Sequence, residues 1–173
     1  MIFSRFLKIN FVNARTCGAV KIIFTKNDVE KSYFLYAVIF TFFIKWLIMK
    51  KTTVCGGNMK TGVIGIGAIA GVHLAVLEKM GADVVALCDI DTEKCHAANE
   101  KFGFSARVYS SYIEMLDKEE LDIVHICTPH YLHAEMICHA LKKNINVLCE
   151  KPVAISYEQL DMIEAAVNSS RAQ

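Results

Sequence analysis

The segment TGVIGIGAIA, Thr61–Ala70, decides the fold. An apolar run ends at Gly65-Ile66-Gly67-Ala68-Ile69-Ala70, and Ile69, Val72, Val76 and Met80 then recur at helical spacing, which predicts an apolar stripe laid against a sheet. Strand, glycine turn and helix in that order make an anion site, because the free amides of a first helical turn and the local dipole stabilise negative charge without a dedicated lysine. Gly65 would permit the tight turn, Gly67 would let the backbone approach a pyrophosphate, and Ala70 would keep helix and strand close. The absence of a GxxxxGK[ST] pattern therefore does not count against nucleotide binding.

Asp89 lies 22 residues beyond Gly67, at the end of the next apolar run, VVALC. A carboxylate there can accept hydrogen bonds from both ribose hydroxyls of an adenosine moiety, and its charge would repel a 2′-phosphate. The pair predicts a dinucleotide site with NAD preferred and NADP allowed if nearby side chains compensate. The plain alternative is a tight turn followed by a solvated acid at a strand end.

Short apolar runs and longer helical patterns alternate from Lys60 onward. DTEKCHAANEKF, HYLHAEMICHALKK and the stretch after Ser156 read as helices; ARVY, DIVHICT and NVLCE read as strands. Ser111 stands three residues before Glu114, a capping-box spacing, and Pro129 suits a first helical turn. This alternation predicts an α/β, Rossmann-type, doubly wound parallel sheet with helices on both faces.

The residues before Met59 differ from the rest. The formal charge of +1 averages nine Lys or Arg against two acids in 1–59 with ten against sixteen in 60–173, and eleven of the seventeen aromatics lie before Met59 while all six histidines follow it. The division expected is a basic, apolar extension, 1–59, and a dinucleotide-binding domain, 60–173, with Met59 an alternative start. Arg5, Lys8, Arg15, Lys21 and Lys26 without an acid are compatible with a transit peptide. Ser32–Met49 approaches the roughly 20 apolar residues that cross a bilayer, although Lys45 weakens that reading. The seven cysteines include no CxxC pair and form no metal motif; Cys88, Cys127 and Cys149 end apolar runs and read as buried small hydrophobes in a reducing, cytoplasmic setting.

Two further segments follow strands, Cys127-Thr128-Pro129-His130-Tyr131-Leu132-His133 and Glu150-Lys151-Pro152. Ligands in open parallel sheets bind beyond the carboxyl ends of strands, so both should face the crevice of the glycine turn. By itself, His133 also reads as a cap or packing residue, and Lys151 as a solubilising one.

VIGIGAIAGVHLAVL, ALCDID, HICTPHYLHAEMICHAL and VLCEKPVAISYEQLDMI, taken in order over roughly 60–168, resemble the NAD(P)-dependent oxidoreductase family that includes glucose-fructose oxidoreductase and inositol 2-dehydrogenase, the Gfo/Idh/MocA family. The resemblance implies that Gly65, Gly67, Ala68, Ile69 and Ala70 form the pyrophosphate loop, that Asp89 contacts the adenosine ribose, and that Thr128, Pro129 and His133 border the cofactor. It implies that Glu150, Lys151 and Pro152 are the family's EKP signature, with Lys151 the catalytic candidate beside nicotinamide and substrate. The chemistry implied is hydride exchange with a sugar, cyclitol or related polyol. The family normally adds a larger α/β substrate domain, so the expectation is a cofactor domain truncated before it and inactive alone. His125, His130 and His139 read as strand, turn and helix residues.

The competing reading is a noncatalytic dinucleotide-binding or interaction protein, held at a membrane by Ser32–Met49. Nucleic-acid binding is not expected, because the basic residues are interleaved with bulky apolar runs. A homo-oligomer is compatible with the sequence.

Overall fold

The computed structural model describes residues 59–172. The transit-peptide and Ser32–Met49 readings lie outside them. Five strands, β1 (Lys60–Ile64), β2 (Asp83–Cys88), β3 (Arg107–Tyr109), β4 (Ile123–Ile126) and β5 (Asn146–Cys149), alternate with α1 (Ala68–Lys79), α2 (Thr92–Phe102), α3 (Tyr112–Lys118), α4 (His133–Lys142) and α5 (Tyr157–Ser169). All pairings are parallel and the order is β3-β2-β1-β4-β5. Strand order reverses between β1 and β4, which opens a crevice at their carboxyl ends.

Successive strand residues face opposite ways, so the sheet builds two cores. Val63 and Leu87 pack with Ala70, Leu74 and Leu77 of α1 and with Cys95 and Ala98 of α2. Ile64, Ala86, Val124 and Ile126 pack on the other face with Met115 of α3, Ile137 and Leu141 of α4 and Ala166 of α5. Each large apolar side chain removed from water contributes about 1.5–3 kcal/mol. The doubly wound sheet with helices on both faces is therefore the observed architecture.

The expected stripe on α1 is corrected. Ile69 and Val72 are exposed, and the buried residues are Ala70, His73, Leu74 and Leu77. These follow the i, i+3, i+4, i+7 rule equally well; the sheet selects the face that carries a small residue beside the strand and admits an imidazole. Ser111 caps α3 by accepting from the Glu114 N–H at 3.4 Å, while the Glu114 carboxylate pairs with Lys118. Ser156 caps α5 by accepting from the Gln159 N–H, and Gln159 Oε1 accepts from the Ile155 N–H. Pro129 precedes a short 3₁₀ turn, His130–Leu132, that leads into α4. Among the described residues no helix is long and apolar enough to cross a membrane.

Candidate functional site

Gly65 leaves β1 with φ +84°, in the left-handed region that favours glycine. A Cβ there would lie 2.8 Å from Thr128 Cγ2 and 2.9 Å from the Cys127 and Thr128 backbone, so the glycine also lets the turn after β1 pack on the turn after β4. Gly67 differs: its backbone is extended, and a Cβ there would meet no heavy atom within 4 Å. It opens onto free space at the start of α1, where no side chain caps the helix and no acid occupies the first turn. Ala68 and Ile69 are exposed beside it, whereas Ala70 is fully buried under the turn. Unpaired first-turn amides facing open space suit a pyrophosphate, and this geometry fits a dinucleotide.

Asp89 follows β2 and braces this turn. Its Oδ2 accepts from the Ile66 N–H at 2.7 Å and its Oδ1 from the Asp91 N–H at 2.9 Å, with Lys94 Nζ 3.9 Å away. A carboxylate offers about four acceptor positions, so these two backbone bonds leave capacity for hydroxyl donors.

On the opposite side of the crevice, the Thr128 hydroxyl donates to Met136 Sδ at 3.4 Å, and Pro129 is exposed. His133 is 1% exposed, and its Nε2 and Nδ1 each lie 2.8 Å from a carbonyl, those of Thr128 and Pro152 respectively. The imidazole thus ties the turn after β4 to the turn after β5 and presents neither nitrogen to the crevice. Lys151 and Pro152 are exposed on that second turn, joined by a cis peptide bond.

Two residues here were not legible as functional candidates. His73 Nε2 lies 2.8 Å from Glu150 Oε1, and His73 Nδ1 lies 3.0 Å from Nδ1 of His125. His73 and His125 are each 2% exposed. Burial, with His73 beside it, pushes the His125 imidazole down to about 3, which keeps it neutral. The available signal was positional: His73 falls on the buried stripe of α1, where an apolar residue would be ordinary.

The cysteines near the site are unreactive by environment. Burial pushes Cys88, Cys127 and Cys149 up to about 12, so their thiolates are scarce at neutral pH. Cys149 is half-buried rather than buried, because β5 lies at an edge of the sheet among the described residues.

Residues 59–173 match the family model described as an oxidoreductase family with an NAD-binding Rossmann fold. The inositol 2-dehydrogenase of Salmonella typhimurium is 35% identical over 101 residues, 57% of this chain and 30% of that one. The structure of myo-inositol dehydrogenase from Lactobacillus casei with NAD(H) and myo-inositol aligns with a TM-score of 0.64 at 30% identity, covering 68% of this chain and 36% of that one. The 3-ketoreductase KijD10 from Actinomadura kijaniata, in complex with TDP-benzene and NADP, aligns with a TM-score of 0.60 at 28% identity, covering 66% and 36%. The chain spans about a third of the length of these relatives.

Proposed function

The chain belongs to the Gfo/Idh/MocA oxidoreductase family of NAD-binding Rossmann folds, and from that premise we propose that its sheet edge holds NAD for reversible hydride exchange with a sugar, cyclitol or related polyol. The observation that carries this reading is the convergence of three turns at one crevice: Gly65 against Thr128, and His133 between Thr128 and Pro152.

In this reading the amides of Gly67, Ala68, Ile69 and Ala70 bind the pyrophosphate, and Gly65 sets their direction. Asp89 accepts from the adenosine ribose while it orders the Ile66 amide. Thr128 and Pro129 border the nicotinamide end, and His133 acts through the Thr128 and Pro152 carbonyls. The bound nicotinamide supplies the hydride acceptor or donor. Lys151, on the turn that Glu150 begins and Pro152 closes, orients the reacting hydroxyl, since a cationic donor stabilises developing alkoxide character and can join a proton network. It shares that work with groups of the substrate site rather than serving as the sole base.

NAD is the preferred cofactor because a 2′-phosphate would meet the Asp89 carboxylate, and Lys94, 3.9 Å from it, moderates rather than cancels that repulsion. Titration of the purified chain with NADH and NADPH, followed by nicotinamide fluorescence, tests the reading. Saturable binding with NADH favoured is expected, and Asp89→Ala should erode the preference by about tenfold, the equivalent of one charge-assisted hydrogen bond. Absence of saturable binding to either nucleotide would overturn the proposal.

A further inference from the structure

The interior of the α1 face holds a polar chain of which the proposed function uses only the outer end, at Glu150 and Lys151. It runs from His125 through His73 to Glu150 and ends at Lys151. Glu150 Oε1 faces His73 Nε2 at 2.8 Å, and Glu150 Oε2 accepts from the Lys151 N–H at 3.3 Å. Hydrogen-bond accounting fixes most of the protons. An ionised carboxylate only accepts, so His73 Nε2 is a donor. The two Nδ1 atoms, 3.0 Å apart, share one proton, and His125 stays neutral whichever ring holds it.

The far end of the chain shows what it can do. His125 sits on β4 in register with Val63 and Leu148 on the flanking strands, and it is 2% exposed. A proton passed inward would stop there, so the arrangement holds geometry rather than conducting charge. The rings meet edge to face, with centroids 5.3 Å apart and planes at 81°, which resists rotation of either. The donors and acceptors stand in series rather than around a common point, and among the described residues no cluster converges to hold a metal ion.

We propose that His73 is a positioning residue: seated against His125, it anchors the Glu150 carboxylate and so fixes the turn that carries Lys151 against the helix that begins at the glycine turn. The proposal rests on the reading that Lys151 works at the reacting end of the cofactor. It extends that reading by making α1 a strut with two ends, amides at its start for the cofactor and an imidazole one turn later for the lysine turn.

The test compares variants of the full chain without cofactor. A packing role and a positioning role make opposite demands at position 73. Phenylalanine fills the space and offers no donor, whereas glutamine keeps an N–H in the place of Nε2. Long-range ¹⁵N–¹H correlation of the histidine rings should show His73 with a fixed proton on Nε2, released in Glu150→Ala. Labelling of Lys151 by trinitrobenzenesulfonate, located by peptide mass, should change more than threefold in His73→Phe and Glu150→Ala and stay within twofold of the parent in His73→Gln. If His73→Phe does not fold, Glu150→Ala, altered at a side chain 23% exposed, decides. An averaged or Nδ1-only proton on His73 overturns the proposal, as does labelling that follows side-chain volume instead of the donor. A parent chain that keeps the His73 pattern but fails to bind NADH sinks the functional reading alone.

Discussion

The two ends of the sheet are held in different ways. At the amino ends of the strands, charged groups pair across short spans near the surface. Asp122 Oδ2 accepts from the Lys60 N–H at 3.0 Å, Lys60 Nζ lies 3.1 Å from Glu120, and Arg107 forks onto Glu119, which Tyr109 also reaches from along the same strand. At the carboxyl ends, buried imidazoles and one glycine contact join turns that follow different strands. An exposed pair such as Lys60–Glu120 tolerates loss, because water replaces the missing partner, whereas Glu119, whose side chain is 2% exposed, is the buried exception at this end. A buried imidazole between fixed acceptors does not tolerate loss, because its removal strands polar groups in the interior.

That contrast ranks the expected damage. Gly65→Ala should be the most destructive, since it combines a positive φ with backbone at 2.9 Å; a loss of about 3 kcal/mol or failure to fold is expected from chemical denaturation. His133→Ala should follow at roughly 2–3 kcal/mol, because it abandons the Thr128 and Pro152 carbonyls and leaves a void. A cost no larger than that of an amino-end variant would erase the distinction between the ends.

Glu119→Gln probes the best-defended charge at the amino end. Burial pushes the Glu119 carboxyl up, but the Arg107 and Tyr109 contacts outweigh it and hold the group below its ordinary value of 4.5. A depressed folded-state value stabilises the protein above the unfolded-state value and is lost as pH falls through the folded one. Thermal unfolding should therefore show a Glu119-dependent loss developing below about pH 4.5 and absent from Glu119→Gln. At neutral pH the variant should cost about 1 kcal/mol, roughly 4–8 °C in Tm. Lys60→Ala should do least, within about 0.5 kcal/mol, because its partner Glu120 is 92% exposed.

The same contrast explains what could be read from the chain. The alternation of strands and helices, the glycine turn and the capping serines follow from local rules of period and turn chemistry, whereas the order β3-β2-β1-β4-β5 does not. His73 escaped because periodicity classifies residues as apolar or polar, and a histidine on the inner stripe looks like an error in phase. Periodicity favours the stripe through Ile69 and Val72 instead, although those side chains stand in the open. His125 was correctly a strand residue, but its partner lies 52 positions earlier. Such a pairing exists only after the crossover from β3 to β4 has been made. Likewise, the sequence offers His133 both a place bordering the cofactor and a packing role, but not the two carbonyls its nitrogens face, whose convergence depends on β4 and β5 being neighbours.

The central position of β1 also sets a schedule for synthesis. It leaves the ribosome before every other strand described here, yet Ile64 must wait for Ile126, 62 residues later, to complete the pairing on its second side. At about 5–20 residues per second that interval is roughly 3–12 s. The Asp89 brace on the Ile66 amide can form early in it, whereas the contact of Gly65 with Thr128 and that of His73 with Glu150, 77 residues apart, close last. A nascent chain stalled between β2 and β4 would carry a glycine turn and its acid without the wall that completes the crevice.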